Sequence, residues 1–410
     1  MNPGKSTGTL SGARSLGMIV LSLLFLCSCA SEKVRNPVPP SLRDTAEVAG
    51  TRGLRVWGDG HDNALNGDFV QSIRDEPAGS FPRGPNGEIQ YSGLALSGGG
   101  EHGAFGAGFL EGWSASGTRP KFKVVTGIST GALIAPFALL GPEYDETLKE
   151  AYTNTTVDKV LAKKWLAGAY WRESLFDNHP LEKMVREAMS DGVIDAIGKA
   201  HRNGQRLFVS TTNFDAQRPV IWNMGAVANS QHPDAYALFR KIIVASTAIP
   251  AVFIDVNADG KRYSEMHVDG GTLGQMFFYG SSMDWQAALR DANGGTQPDD
   301  QSVLYIIVDG QIAPDYETVR RRLLPITNRT IQTLVKVSAW SALYRMYLHA
   351  QIGGYGLKYT ALPEDYQPES DEPYDPTEMR RMFEIGQTMA ENGESWQSAP
   401  PGFRHCGGDK

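Results

Sequence analysis

An α/β fold, with a mostly parallel central sheet covered by helices on both faces, is predicted by two features of this sequence. Short apolar runs at 94–96, 123–126, 207–211 and 303–308 alternate with helix-patterned stretches at 144–163, 180–188 and 236–245. That alternation is the mark of strands joined by helical crossovers. In addition, two of the runs open onto glycine-rich turns that lead into apolar segments of helix length. Such turns lie at the C-terminal ends of strands, where open α/β sheets bind their ligands.

The first of these strands, 94–96, runs into Ser97-Gly98-Gly99-Gly100-Glu101-His102-Gly103. With no side chains in the way, the amides of Gly98, Gly99 and Gly100 can turn toward one concavity and receive a developing negative charge, as an oxyanion hole does. A tight strand-to-helix turn without a ligand is the plainer reading of the same glycines. Gly98, Gly100 and Gly103 also satisfy GxGxxG, but dinucleotide binding needs an acidic residue at the end of the next strand. That strand ends in Thr126 and is followed by a serine motif, which argues against a nucleotide.

The motif is Gly127-Ile128-Ser129-Thr130-Gly131, a GxSxG that leads into the apolar stretch 132–140. Strand, glycine turn and helix put Ser129 on a nucleophile elbow, where a Cβ on either flanking residue would obstruct the cramped backbone. Ser129 is therefore the candidate nucleophile, with Gly127 and Gly131 shaping the elbow. A second GxSxG at residues 4–8 has no strand before it.

The third piece is Asp269-Gly270-Gly271, which follows a hairpin expected around Asp259-Gly260. Asp-Gly most often marks a turn, and several other aspartates here precede a glycine, but only Asp269 has the double glycine. If a desolvated cleft raises its basicity, Asp269 can take the proton of a serine hydroxyl. A Ser-acid-His triad is the rival arrangement. After Asp269 only His349 and His405 remain. The first sits in a helix-patterned segment with Leu334, Val337, Trp340, Leu343, Tyr344, Tyr347 and Leu348, and the second in the polar tail; both read as structural or solvated. His267 shares a strand face with Asp269 and reads as a residue behind the base. Asp215 reads as a turn residue.

Taken in order, the glycine loop, GISTG and DGG resemble the patatin-like phospholipase family. Residues 245–253 are similar to that family's serine, alanine and proline block, and 209–219 to its intervening strand and turn. The resemblance covers roughly 91–311. It implies a three-layer patatin-like fold and hydrolysis of acyl esters by a Ser129/Asp269 dyad through an acyl-enzyme, without metal or other cofactor. Two departures stand out. His102 occupies the place of the usual arginine or lysine, and Thr272-Leu273-Gly274-Gln275 replaces the usual asparagine and proline. An acyltransferase using the same dyad, or a binding and scaffold protein that keeps the fold without turnover, are the alternatives.

At the N-terminus, Lys5 and Arg14 precede an apolar run at 16–26 and then Leu26-Cys27-Ser28-Cys29. The run is too short to span a bilayer and fits a secretory signal. Its end resembles a bacterial lipobox, which implies cleavage before Cys29, diacylglyceryl attachment there, and an envelope location at the outer membrane. The organisation expected is a signal peptide at 1–28, a proline-containing tether and extension at 29–90, the hydrolase core at 91–311 and a helical C-terminal extension at 312–410. Within the last, the aromatic stripe of 330–350 reads as core, with a lid or a membrane-facing surface as the alternative, and Asp375-Pro376 as the capped start of a last helix.

Composition agrees. The 410 residues carry a net charge of −7, which gives no basis for nucleic-acid binding. Only three cysteines are present, too few for a cysteine zinc site once Cys27 leaves with the signal and Cys29 is acylated. Lipids or acyl esters are the expected partners, with the membrane reached through the anchor.

Overall fold

The computed structural model describes residues 35–60, 64–154, 162–163, 176–177, 179–248, 251–279, 283–370, 372–393 and 395–403. In chain order its first half contains β1 (Arg55–Trp57), α1 (Ala64–Arg74), β2 (Ser92–Leu96), α2 (Gly103–Ala115), β3 (Phe122–Gly127), α3 (Thr130–Leu140) and α4 (Asp145–Thr153). A separate strand pair follows, β4 (Ala162–Lys163) and β5 (Phe176–Asp177), then α5 (His179–Ala188) and α6 (Asp191–Arg202). The second half contains β6 (Arg206–Asn213), β7 (Arg218–Asn223), α7 (Met224–Ala228), α8 (Ala235–Thr247), β8 (Val252–Ala258), β9 (Lys261–Asp269), α9 (Trp285–Ala292), β10 (Val303–Val308), α10 (Leu323–Gly353), β11 (Gly356–Ala361) and α11 (Pro376–Asn392).

Nine of these strands form one sheet. Its parallel part runs β6-β3-β2-β10-β11. The expected parallel sheet is this part. Antiparallel strands extend it on one side, where β7 pairs with β6, β1 with β7, and the β8–β9 hairpin joins through β9. The hairpin turns at Asp259 and Gly260, both with positive φ (50° and 68°), as a two-residue turn matched to strand twist requires.

Central parallel strands are covered on both faces and so read as continuous apolar runs. All six residues of β3 are buried, among them Lys123. Its Nζ donates to the Ser72 carbonyl at 2.8 Å and to Glu76 at 2.9 Å. Burial pulls this ammonium down to about 8 against the pull of Glu76. The strands found at 206–213 and 303–308 contain those read from sequence.

Helix α2, which follows the glycine loop, meets α11 at unusually short range. A Cβ on Gly108 would lie 2.0 Å from the Phe383 carbonyl oxygen, one on Gly112 2.1 Å from that of Gln387, and one on Gly386 2.2 Å from that of Phe105. Glycines on both helices let the backbones touch. Asp375 caps α11, its Oδ1 accepting from the Thr377 and Glu378 amides at 2.7 and 3.3 Å, with Pro376 in the first turn, as expected.

Four expectations change. Residues 35–52 are not a free tether: Val48 is buried, Glu47 and Asn257 exchange backbone hydrogen bonds, and Asn36 bonds the hairpin at Arg262 and Ser264. The helix read at 144–163 ends at Thr153, and Lys163 belongs to a strand. The sheet continues past residue 311, since β11 pairs in parallel with β10. The stripe on α10 divides: Leu343 and Tyr347 are buried, whereas Leu334, Val337, Trp340 and Leu348 are exposed. The signal region, Cys29, the second GxSxG and His405 lie outside the described residues.

Candidate active site

Two strands share one edge of β6 and meet there end to end. On that edge β3 runs parallel to β6 as far as Gly127, opposite Val209, while β9 arrives antiparallel and ends at Asp269, opposite Thr211. Ser210 is left between them. The chain leaving β3 therefore delivers Ser129 to the point where β9 delivers Asp269.

Ser129 has φ 54° and ψ −124°, a strained conformation for a residue with a Cβ. Both neighbours must be glycine: a Cβ on Gly127 would lie 2.3 Å from the Gly131 carbonyl oxygen, and one on Gly131 2.5 and 2.6 Å from those of Leu96 and Ser97. The Ser129 amide donates to Ser246 Oγ at 3.1 Å, and that hydroxyl donates to the Ser210 carbonyl at 2.7 Å. Ser246, fully buried on α8, thus ties the elbow to the vacant rung of β6.

Asp269 accepts the Gly271 amide on Oδ1 at 2.7 Å and a hydrogen bond from the Ser129 hydroxyl. Burial pushes its carboxyl up to about 6, although the bonds from Ser129 and Gly271 pull the other way. A carboxylate so placed is a better base than one in water and remains ionised near neutral pH. Gly270 is required beside it, since a Cβ there would sit 2.5 Å from the Ser210 carbonyl oxygen.

The glycine loop packs on the other side of Ser129, and a Cβ on Gly98 would be 3.3 Å from that of Ser129. Not all three loop amides face the site. Gly98 donates its N–H to the Gln275 carbonyl at 2.8 Å, so it is not free to receive an oxyanion. Gly99 and Gly100 have no acceptor among the described residues. Thr130 opens α3, so its amide too lacks an intrahelical partner. Gln275, in the stretch where the sequence departs from the family pattern, closes this corner: its side-chain amide donates to the Gly271 carbonyl at 2.9 Å. It joins the loop of Gly98 to the loop of Asp269.

Behind the site lies a buried polar chain. Trp222 Nε1 donates to Thr211 Oγ1 at 2.8 Å, Thr211 Oγ1 bonds His267 Nδ1 at 2.8 Å, and His267 Nε2 bonds Glu265 at 3.1 Å. Glu265 also takes Arg55. Burial pushes Glu265 up, but the bonds from His267 and Arg55 outweigh it and hold the carboxyl at about 2. His267 is therefore engaged on both nitrogens, behind Thr211, and braces the strand that carries Asp269. His349 is exposed, and Asp215 pairs with Arg35 and the Met266 amide; neither belongs to the site. Burial lowers His102 below the ordinary histidine range, so no cation stands at that position at neutral pH. Among the described residues no group of three or more His, Cys, Asp or Glu side chains could hold a metal ion.

Two nearby residues escaped the sequence reading. Asp309, at the end of β10, is buried under the loop with neither carboxylate oxygen hydrogen-bonded to a side-chain partner. Burial raises it well above the carboxylate range despite the Gly106 amide. A Cβ on Gly99 would lie 2.0 Å from its carbonyl oxygen. Tyr374, at positive φ (55°), gives its amide to Glu101 and brings its hydroxyl to 3.8 Å from where a Cβ on Gly100 would be. Burial, with Glu101 and Asp269 nearby, pushes this phenol up to about 12. No motif marks either position; only proximity does.

A serine on a strained elbow, a carboxyl beside it and glycine amides without an acceptor among the described residues are the parts that serine acyl hydrolysis needs. Residues 94–278 match the family model described as patatin-like phospholipase, which supports a lipid acyl hydrolase domain in that stretch. No curated protein matches the chain in sequence. Among solved structures, the chain is similar to VipD from Legionella pneumophila, with 12% identity over 78% of this chain and 70% of that one, at a TM-score of 0.37. It is also similar to full-length ExoU of the Pseudomonas aeruginosa type III secretion system, solved with SpcU, at 11% identity, 76% of this chain, 54% of that one and a TM-score of 0.30.

Proposed function

We propose that Ser129 and Asp269 form a catalytic dyad that cleaves acyl ester bonds of phospholipids or related lipids. The observation that carries this reading is the Ser129 hydroxyl bonded to a carboxyl lifted to about 6, beside unengaged glycine amides. Ser129 Oγ attacks the ester carbonyl carbon while Asp269 takes the hydroxyl proton. The carbonyl oxygen becomes an oxyanion against the amides of Gly99, Gly100 and Thr130. When the tetrahedral intermediate collapses, the proton passes from Asp269 to the departing alcohol and an acyl-enzyme remains. Water, deprotonated by Asp269, then releases the fatty acid and restores the serine.

From the sequence around Cys29 we further infer export and acylation there, with the outer membrane as the site of residence. Metabolic labelling with a palmitate analogue tests this, since a Cys29→Ala chain should take up no label.

The dyad is tested by reaction with a fluorophosphonate probe, mapped by mass spectrometry. Label on Ser129, absent in Ser129→Ala and strongly slowed in Asp269→Asn, supports the mechanism. Folded wild-type protein that takes no label, under conditions that label another serine hydrolase, would leave a binding or scaffold role as the better account.

A further inference from the structure

Helix α10 leaves much of its apolar surface uncovered. Its first buried side chain is Ala342, so residues 323–341, ~28 Å of helix at ~1.5 Å per residue, run ahead of the packed part. Leu323, Leu334, Leu348 and Ile352 recur on one side, flanked by Leu324 and Ile331, and these six are between 49% and 84% exposed. An apolar stripe of this length on a protein surface marks an interaction site.

Charge indicates what it meets. From 320 to 353 the chain has six basic residues and no acidic one, although the whole chain carries −7. Arg329 and Lys336 pair with Asp315. Arg320, Arg321 and Arg322, at the mouth of the helix, are exposed and have no ion pair among the described residues. A long apolar stripe with basic residues around it and no carboxylate suits an anionic bilayer surface, into which the stripe sinks while the arginines meet the head groups. Among the described residues no helix is long and apolar enough to cross a membrane, so α10 would lie in the interface.

The helix also borders the proposed site. Lys336 is close enough to His102 of the glycine loop to disfavour its protonation. Arg345 lies 3.6 Å from the position of a Cβ on Gly274, in the loop after Asp269. We propose that α10 docks the protein on an anionic lipid surface and turns the mouth of the Ser129 site toward the acyl chains there. The second half of this statement rests on the dyad reading; the first does not.

The experiment is flotation of the full chain, carrying Ser129→Ala, with vesicles of phosphatidylcholine alone or with added phosphatidylglycerol. Two further chains carry Leu323→Ser with Leu334→Ser, or Arg320→Glu, Arg321→Glu and Arg322→Glu. All share the same N-terminus, so any anchor contributes equally, and thermal unfolding checks the fold. Each surface change is expected to lower recovery with the anionic vesicles by roughly tenfold or more, and the arginine change to abolish the preference for them. In the Ser129 background the same changes should leave hydrolysis of a water-soluble short-chain ester intact and slow hydrolysis of vesicle lipid. Equal flotation of all three proteins overturns the docking helix. So does sedimentation showing a wild-type dimer that the leucine change converts to monomer, which would assign the stripe to a second copy. An inactive Ser129 with normal flotation defeats the dyad and leaves the docking helix standing.

Discussion

Ser129, two residues past the end of β3, and Asp269, the last residue of β9, flank the rung of β6 at Ser210, their strands reaching β6 from opposite directions. This meeting brings together a serine and a carboxylate from distant parts of the chain. Anchoring on one sheet suits the proposed dyad, because reacting groups must be held within a fraction of an ångström.

The proposed dyad should show one ionisation. As the proposed base Asp269 would work only as the carboxylate, and burial pushes its carboxyl up to about 6, so kcat/KM should rise tenfold per pH unit below about 6 and level off above it. A profile that is flat down to pH 4.5, or whose limb survives in Asp269→Asn, would contradict that assignment.

The same group makes a prediction about stability. Its folded value is above the unfolded one of about 4, so the folded state binds the extra proton between the two and loses stability as pH rises through that window. Asp269→Asn should therefore be inactive yet more stable than wild type at pH 7, by on the order of 1–3 kcal/mol, and no more stable at pH 4. Denaturant titrations at the two pH values measure it.

Asp309 should behave in the same direction with a different effect on turnover. Burial raises its carboxyl well above the usual range, so wild type must take up a proton there to fold above about pH 4. Asp309→Asn is expected to stabilise the protein at neutral pH, with the difference closing in acid, and to retain label on Ser129. Loss of labelling in a folded Asp309→Asn protein would show that the acid form does more than fill the space under Gly99.

Ser246 holds the elbow by its amide and the adjoining strand by its carbonyl. Removing the hydroxyl leaves both groups buried without a partner, which costs about 1–3 kcal/mol. Ser246→Ala should lower Tm and reduce kcat more than it changes KM, because Ser129 loses the bond that fixes its strained backbone. An unchanged kcat at full occupancy would mean the elbow holds itself.

Gly99 separates the proposed oxyanion loop from Asp309. A Cβ there would meet the Asp309 carbonyl oxygen at 2.0 Å, a backbone atom that cannot swing away. Gly99→Ala should displace the loop and lower kcat by roughly a hundredfold or more, with a smaller loss in probe binding. Activity near wild type would remove Gly99 from the proposed donors and leave Gly100 and Thr130.

Much of this protein was legible in sequence because its information is local. GISTG needs glycines at fixed steps around a strained serine, continuous apolar runs mark strands covered on both faces, and Asp375-Pro376 caps a helix by chemistry confined to one turn. Local rules say nothing of which groups a fold brings together from far apart. Three glycines predicted three amide donors, yet Gly98 is engaged by the carbonyl of Gln275, whose neighbourhood in the sequence bears no mark of it. Asp309 and Tyr374 approach the loop only because β10 lies beside β2 and α11 lies on the glycine face of α2. Helical periodicity likewise cannot say which apolar residues will find a neighbour: the α10 stripe has one pattern, but the body of the protein covers Leu343 and Tyr347 and leaves Leu334 and Trp340 in the open. Sequence alone thus determined the fold class and the candidate serine and aspartate, through backbone sterics and hydrophobic period. Tertiary structure decided which amides are free, how basic Asp269 is and which face of α10 meets solvent, because each depends on desolvation and on contacts between segments remote along the chain.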